Sequence, residues 1–331
     1  MKESVYIFSN GMLKRQDNTL LFIDSNNKKK YIPVENLKEI LVFGEVDFNK
    51  RVLELLSQKE IILSLFNYYG FYVGSYYPRE HYNSGYMILK QAEHYLDINK
   101  RILIAKNFVE GAVKNSVKNL KYYKRREKDL DSEISEIMTK LKKLNDVSNI
   151  SKLMQIEGEI KKTYYKSFNK IIENESFKFE KRNKRPPIDR INALISFSNS
   201  IIYNAVLREI YSTHLDPRIG FLHYTNFRRF SLNLDIAEIF KPVIGDKVIF
   251  KVINKGIIKE RDFEKDLNRI FLNNSGKRKF IEEIEKRMGE TIKLKKFKNK
   301  VSYRILIRME LYKLEKHLLG EDIYKPFVME W

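Results

Sequence analysis

Cysteine is absent from this 331-residue chain, and its absence excludes several kinds of chemistry. A protein without cysteine forms no disulfide, uses no thiolate nucleophile and builds none of the cysteine-rich zinc sites. Long apolar runs are also missing, because no stretch approaches the ~20 residues of a membrane-spanning helix. Residues 1–11 lack the apolar core of a signal peptide. From these absences we expect a cytoplasmic protein with no membrane partner.

Acidic residues are few relative to basic ones. The chain has 63 lysines and arginines against 43 aspartates and glutamates, which gives a formal net charge of +20 at pH 7. So large an excess attracts polyanions, and the phosphates of DNA or RNA are the commonest of these. A generally basic proteome would produce the same excess without any nucleic acid. The hydrophobic content of 43% is enough to bury a real core, and the length favours two domains.

Short apolar runs separated by turns occupy residues 1–85. The runs at 5–8 and 19–23 each lead into a turn that contains asparagine, and 31–34 follows at hairpin spacing. This pattern predicts a small β-sandwich-like domain. The tyrosine-rich stretch 68–77 fits a packed sheet face or a dimer surface, although the same rings could stack on bases.

Helical patterns replace the strands from residue 86 onward. Apolar residues at 130–144 recur in steps of four and three, which predicts an amphipathic helix. The stretch 192–207 is apolar enough for a buried helix, and a last helix is predicted over 302–319. The sequence therefore predicts an all-α domain over 86–331 and, for the whole chain, the α+β class.

A histidine and two carboxylates lie close together between residues 215 and 242. An Asp-Pro turn leads to His223, and twelve residues later Asp235 and then Glu238 occur in a predicted helix. Their i, i+3 spacing places both acids on one helix face, at the edge of the buried stripe. A divalent cation could neutralise them, with the histidine as a nitrogen ligand. A hydrogen-bonded core histidine and a solvated acidic face explain the same residues, so both interpretations stay open here.

Glu157 is a further candidate acid. It lies among apolar residues, and Gly158 directly after it would permit close approach of another backbone. This combination suggests a buried carboxylate, and the alternative is a glutamate on a helix surface. Basic clusters follow at Arg228-Arg229 and across 293–300.

Several segments, in this order, resemble the CRISPR-associated spacer-acquisition integrase family, the metal-dependent DNA endonucleases of prokaryotic adaptive immunity. Each segment alone is weak evidence, whereas the ordered set covers nearly the whole chain and is specific. The matching segments are Ile32-Pro33-Val34-Glu35, Phe66 to Gly70, Gly74 to Glu80, Glu157-Gly158, Asn192 to Phe197, Leu215 to His223 and Leu234 to Pro242.

The resemblance implies that Glu157, His223 and Glu238 hold Mg²⁺ or Mn²⁺, with Asp235 as a neighbouring catalytic acid. The sequence departs from the family pattern at two places. Lys161-Lys162 stands where an Ala-Arg pair often follows Glu-Gly, so a positive charge is kept without the planar guanidinium. Glu238 stands where many relatives carry aspartate, so this carboxylate reaches one methylene further.

The resemblance also implies a function and its partners. The fold would be a dimerising β-domain over 1–85 and a helical catalytic domain over 86–331. The protein would insert captured DNA fragments into a CRISPR array by attack of a 3′-hydroxyl, acting on double-stranded DNA that is branched or has 3′ overhangs. It would act as a homodimer bound to the family's small adaptation partner protein. Basic residues would hold phosphates without reading bases, and the candidates are Lys162, Arg228, Arg229, Lys295 and Lys296.

Two other functions fit much of the same sequence. One is a non-catalytic nucleic-acid scaffold, in which the acids form structural ion pairs. The other is a general structure-specific DNA repair nuclease, which shares the chemistry and differs in substrate.

Overall fold

The computed structural model of the protein describes residues 4–78, 82, 84–183, 186–225, 230–294 and 299–330. The chain divides into two compact units, residues 1–81 and 82–331. Strands predominate in the first unit and helices in the second. The predicted α+β class is therefore confirmed.

The first unit contains two four-stranded sheets. Its strands are β1 (Ser4–Ile7), β2 (Gly11–Gln16), β3 (Thr19–Asp24), β4 (Lys29–Ile32), β5 (Glu39–Val42), β6 (Val46–Phe48), β7 (Ile62–Phe66) and β8 (Tyr72–Tyr76). One sheet has the order β1-β5-β7-β8 and the other β4-β3-β2-β6. In the first sheet β5 pairs in parallel with β1 and β7, and β8 closes it antiparallel to β7.

Helix α1 (Lys50–Gln58) contributes an apolar face to the core of this unit. Asn49 caps its first turn, because the side-chain oxygen accepts a hydrogen bond from the backbone N–H of Val52 at 3.3 Å. Val52 and Leu55 are fully buried with the sheet residue Leu13. Burial of side chains spaced three apart on the helix and alternately on the strands gives the unit its core.

The tyrosine-rich stretch that follows β7 in the sequence begins with a turn. The Asn67 side-chain oxygen accepts hydrogen bonds from the backbone N–H groups of Tyr69 at 3.1 Å and Phe71 at 2.9 Å. Asparagine commonly closes a turn in this way. Consequently Tyr68 lies in the turn and is 57% exposed. The strand begins at Tyr72.

The second unit is built from helices with two short hairpins. Its helices are α2 (Gly85–Leu96), α3 (Ile98–Lys124), α4 (Asp131–Lys142), α5 (Ile150–Lys166), α6 (Phe168–Ile171), α7 (Arg190–Tyr211), α8 (Leu232–Phe240), α9 (Lys247–Asn254), α10 (Asn274–Gly289) and α11 (Tyr303–Leu318). Its strands are β9 (Phe263–Asp266), β10 (Arg269–Leu272), β11 (Thr291–Ile292) and β12 (Val301–Ser302). The two hairpins depart from the all-α prediction for this region. No helix among the described residues has the length and apolar character that a membrane crossing requires.

The long helical pattern after residue 86 is divided at Asp97. Its carboxylate accepts hydrogen bonds from the backbone N–H groups of Asn99 at 2.9 Å and Lys100 at 3.1 Å. An aspartate in this position satisfies the unpaired donors of a new helix. The chain therefore forms α2 and α3 as two separate helices.

Helix α8 runs through a single π-helical segment, Pro242–Asp246, into α9. This segment packs tightly on the buried helix α7. A Cβ atom at Gly245 would lie 2.5 Å from the Ser198 hydroxyl oxygen and 2.9 Å from the Ile202 Cδ1 atom. Glycine thus permits a close approach that fixes the residues on either side of the π segment.

The side chain of Asn115 on α3 joins α8 to the C-terminal segment. Its Nδ2 group donates to the carbonyl oxygens of Ile239 and Phe327, both at 3.0 Å. Its Oδ1 atom accepts from the backbone N–H of Met329 at 2.8 Å. The Phe327 ring stacks on Phe240 with centroids 5.8 Å apart. These contacts hold the end of α8 to α3 and to the C-terminal segment.

Candidate metal-binding active site

Asp235 on α8 organises the loop that carries the histidine. Its Oδ2 atom accepts hydrogen bonds from the backbone N–H groups of Phe221 at 2.6 Å and Leu222 at 2.9 Å. Its Oδ1 atom accepts from the backbone N–H of His223 at 3.0 Å and contacts that ring's Nδ1 at 2.7 Å. The Asp235 side chain is completely buried. A buried carboxylate is stable when donors satisfy it in this way.

The same loop requires glycine at position 220. A Cβ atom there would lie 2.8 Å from the Asp235 Oδ2 atom. The backbone N–H of Gly220 donates to the Ser231 hydroxyl at 2.8 Å, and that hydroxyl donates to the Arg218 carbonyl at 2.6 Å. The loop is therefore held against the start of α8 by main-chain contacts that a larger residue would block.

The Asp235 contact fixes which ring nitrogen of His223 remains for a ligand. With the carboxylate ionised, Nδ1 carries the proton and donates it to Oδ1. The Nε2 lone pair is then directed away from Asp235, as in histidines that bind metal ions. The His223 side chain is 19% exposed, so it borders a region that a ligand can enter.

A second cluster joins α5 to α8 through lysines. The Lys161 ammonium forms ion pairs with Glu157 Oε1 and, at 2.8 Å, with Glu238 Oε2. On the other side of Glu238, the Lys241 ammonium lies 2.6 Å from Oε1. That ammonium also donates to the Tyr203 hydroxyl at 2.6 Å. Two carboxylates from different helices thus converge on one positive charge.

The charges in this cluster shift one another's pKa. Burial alone would raise the pKa of Glu238, but Lys161 and Lys241 outweigh burial and lower it. For both lysines burial favours the neutral form, whereas the carboxylates raise their pKa above the ordinary value. Glu238 is therefore ionised across the physiological pH range, with only 5% of its side chain exposed.

The cluster borders a cavity, and Asp246 is another carboxylate that lines it. Burial raises its pKa to about 7, against the opposing effect of the Tyr164 hydrogen bond. The Tyr164 hydroxyl lies 3.0 Å from Asp246 Oδ2 and accepts from Asn119 Nδ2 at 3.2 Å. The cavity is lined by Ala112, Val113, Ser116, Glu157, Ile160, Lys161, Tyr164, Tyr165, Glu238, Lys241, Pro242 and Asp246.

Comparison with known proteins identifies the family. The family model described as CRISPR associated protein Cas1 matches residues 5–286. The chain belongs to the Cas1 family. It is 58% identical to CRISPR-associated endonuclease Cas1 2 of Thermodesulfovibrio yellowstonii, over 100% of both chains.

Solved structures agree with membership of the Cas1 family. A Cas1 protein from Thermotoga maritima superposes with a TM-score of 0.89 and 48% identity, covering 98% of this chain and 100% of that one. A casposase bound to integration product has the same fold at 20% identity, with a TM-score of 0.88, 98% of this chain and 93% of the other.

The residues singled out in the sequence fall into two groups in this Cas1-family fold. Glu157 and Glu238 meet at Lys161, and His223 meets Asp235. Within the described ranges, no three histidine, aspartate or glutamate side chains are grouped so that they could hold a metal ion. The loop after His223 does reach α5, where the Tyr224 and Ser151 hydroxyls lie 3.3 Å apart.

Two expectations about these acids were wrong. Asp235 and Glu238 are buried rather than at the edge of the apolar stripe, because loop N–H groups and lysines from other elements satisfy them. Gly158 is not a point of close approach, since a Cβ atom there would have no described heavy atom within 4 Å. Helix α5 continues through it.

The candidate DNA-binding residues are only partly within the described structure. Lys162 lies on α5 and is exposed. Arg228, Arg229, Lys295 and Lys296 lie outside the described residues.

Sequence reasoning missed Lys241, Asp246 and Tyr203 at this site. Lys241 offered one signal, because it follows Glu238 by three residues and so shares its helix face. Asp246 and Tyr203 offered none, since Asp246 reaches the cavity through the π segment and Tyr203 contacts Lys241 from α7.

Proposed function

We propose that this protein is a metal-dependent DNA endonuclease and integrase of CRISPR adaptation. The observation that carries the proposal is the convergence of Glu157 and Glu238 on a single cation beside a cavity. His223 is bound to Asp235, which lies on the same helix as Glu238. Membership of the Cas1 family supports the same reading, and so does the name endonuclease carried by a relative that is 58% identical.

The donor types suit a divalent ion, and His223 would have to approach the two carboxylates to complete the set. Two carboxylates already gather around positive charge, and His223 can present Nε2 because Asp235 engages Nδ1. Glu157, His223 and Glu238 would hold Mg²⁺ or Mn²⁺, and the nitrogen donor makes Mn²⁺ at least as suitable as Mg²⁺. When bound, the ion would polarise the scissile phosphate and neutralise its developing charge.

The side chains of this chain would prepare the site for that phosphate. Asp235 would hold the His223 ring in one orientation and one tautomer. Lys241, fixed by Tyr203, would keep Glu238 ionised and add positive potential to the cavity. A buried positive charge of this kind attracts a phosphodiester more strongly than the same charge in water.

The reaction exchanges one phosphodiester for another. The 3′-hydroxyl of the captured fragment bonds to a repeat phosphorus and loses its proton, while the bond from that phosphorus to the repeat's 3′ oxygen breaks. The departing oxygen takes up a proton and becomes a new 3′-hydroxyl. No energy-supplying cofactor is needed because the number of phosphodiesters is unchanged. Water in place of the 3′-hydroxyl gives strand cleavage, so one site serves both activities.

The partners follow from the same proposal. The net charge of +20 suits DNA, with double-stranded DNA that is branched or carries 3′ overhangs as substrate. The strand-rich unit would mediate homodimerisation, and the family's small adaptation protein would join two such dimers. Lys162, Arg228, Arg229, Lys295 and Lys296 would contact phosphates. The cytoplasmic location also stays a prediction.

A strand-transfer assay tests the proposal. Purified protein, with and without the partner, is incubated with labelled branched DNA in Mn²⁺, Mg²⁺ or chelator. We expect metal-dependent cleaved and joined products that disappear in His223→Ala. The matched control is His214→Ala, a half-exposed histidine paired with Glu315, which should retain activity.

The same assay separates the rival functions. Tight DNA binding with no product in any metal, even with the partner, would contradict the proposal and favour the scaffold. Equal activity on branched repair intermediates and on repeat DNA would favour the repair nuclease.

A further inference from the structure

Lys161 stands at the point where the two carboxylates of the proposed metal site meet. We propose that its ammonium group is a built-in competitor of the metal ion, which must be displaced before the ion can bind. The inference rests on the proposed metal site and adds a way of regulating it. It follows from the position of one side chain and its contacts.

The Lys161 ammonium occupies the position between the two carboxylates that a bound metal ion would take. The Lys161 ammonium contacts Glu157 and lies 2.8 Å from Glu238 Oε2. Oxygen ligands of Mg²⁺ lie about 2.0 to 2.1 Å from the ion. An ion bound between the same two oxygens would therefore overlap the ammonium. The two cations also repel one another, which opposes their sharing the carboxylates.

The ammonium group that the metal ion can displace is that of Lys161 and not that of Lys241. Its side chain is 34% exposed, whereas that of Lys241 is 10% exposed. Lys241 is further held by the Tyr203 hydroxyl and by the ring beneath its ammonium. A long, flexible lysine with a route to solvent can turn outward without disturbing α5.

The competition makes metal binding depend on DNA. In the cluster as observed, two ammonium groups balance two carboxylates. Displacement of Lys161 by a divalent ion leaves the ammonium without its anionic partners. A DNA phosphate entering the cavity would offer a new partner for it, and thus lower the cost of displacement. Metal and DNA should then each increase the affinity for the other, because such coupling is reciprocal.

The test is direct measurement of Mn²⁺ affinity by calorimetry or electron paramagnetic resonance, on full-length protein without DNA. Lys161→Met keeps the side-chain length and removes the charge, and we expect it to bind Mn²⁺ at least about tenfold tighter than wild type. The control is Lys152→Met, an exposed lysine on the same helix, with unchanged affinity. A second measurement is the rise in Tm on adding Mn²⁺, which should be larger in Lys161→Met.

DNA supplies a further readout. Adding DNA should raise the Mn²⁺ affinity of wild type, and this increase should shrink in Lys161→Met. Lys161→Gln replaces the methionine variant if circular dichroism shows that the latter is unfolded.

The outcomes distinguish this inference from the proposed function. Unchanged or weaker Mn²⁺ binding in folded Lys161 variants would overturn the competition, since it would show that Lys161 only positions the acids. Unchanged Mn²⁺ binding in His223→Ala and Glu157→Gln would instead overturn the metal site itself.

Discussion

Asp235 fixes both the backbone of the loop before α8 and the ring of His223. Its two oxygens accept hydrogen bonds from three backbone N–H groups and contact the Nδ1 atom of the His223 ring. These partners lie in residues 221–223, which precede Asp235 by 12 to 14 positions. The carboxylate therefore has a structural and a chemical task, because it shapes the loop and orients His223. Neither contact requires substrate, so we expect Asp235 to act as a positioning residue.

Replacing Asp235 with asparagine should damage both tasks. The amide would present an N–H₂ group to donors that need an acceptor, leaving at least one buried N–H unsatisfied. We expect Asp235→Asn to lower the free energy of unfolding by about 3 kcal/mol, measured by urea denaturation. Asp146→Asn, at an exposed aspartate, is the matched control. A variant as stable as wild type would show that the loop does not depend on this carboxylate.

Asp246 should make stability depend on pH. Burial raises its pKa to about 7, so the folded protein keeps a proton that the unfolded chain loses. The contribution to stability is therefore full below the unfolded pKa of about 4 and is lost as pH rises toward 7. Asp246→Asn cannot ionise, so its stability relative to wild type should increase by about 2 to 3 kcal/mol between pH 5 and pH 8.

Urea unfolding of both proteins at the two pH values measures this difference. Asp146→Asn again controls for the removal of one acid. A relative stability that stays constant with pH would mean that Asp246 is already ionised at pH 5.

At the scale of elements, the site depends on two helices that belong to distant parts of the sequence. Helix α5 brings Glu157 and Lys161, and α8 with its π segment brings Glu238, Lys241 and Asp246. The π segment turns the chain so that residues on either side of Pro242 border one cavity. Its tight packing on α7 fixes that turn.

Substitutions at two glycines separate the effect of tertiary packing on stability from the effect of helix propensity. Gly245→Ala would place a Cβ atom 2.5 Å from the Ser198 hydroxyl oxygen, so we expect a loss of about 1 to 3 kcal/mol in unfolding free energy. Gly158→Ala lies in the middle of α5 with no described heavy atom within 4 Å of the new Cβ. It should stabilise the protein by up to about 1 kcal/mol.

Thermal and urea unfolding of both variants measure the contrast. Adding Ser198→Gly to Gly245→Ala should recover part of the loss, because it removes the clashing hydroxyl. Equal effects at the two glycines would show that the π segment and α7 are not in the close contact described.

For the whole molecule, the net charge should govern binding to DNA, the proposed substrate. With a net charge of +20, the logarithm of the DNA-binding constant should fall steeply with the logarithm of salt concentration. Replacing Lys295 and Lys296 together by alanine should reduce that slope by about two and weaken binding to all sequences similarly. The control is Lys29→Ala with Lys30→Ala, exposed lysines of the first unit.

Fluorescence anisotropy over a range of salt concentrations gives both slopes. A loss confined to one DNA sequence would contradict a role limited to phosphates. An equal loss in the control pair would show that net charge matters and the position of the lysines does not.

Local patterns predicted the fold class better than they predicted the site. In the sequence, short apolar runs separated by turns give way to helical spacing near residue 85. The apolar run of α7 indicated that this helix is buried. By contrast, the burial of Asp235 depends on N–H groups whose direction only the folded loop defines. Nor does spacing reveal that Lys161 lies between two acids from separate helices. Likewise, helix propensity treats Gly158 and Gly245 alike, and only tertiary packing shows which of them is needed.

The hydrogen bonds of Asn115 have a consequence for synthesis of the protein. This one carboxamide joins α3 to Ile239, and also to Phe327 and Met329, which lie 212 and 214 residues further along the chain. Contacts across so long a separation form only after Met329 has been synthesised and has left the ribosome. A nascent chain that stops short of Phe327 therefore lacks the contacts that hold helix α8, with Glu238, to the C-terminal segment.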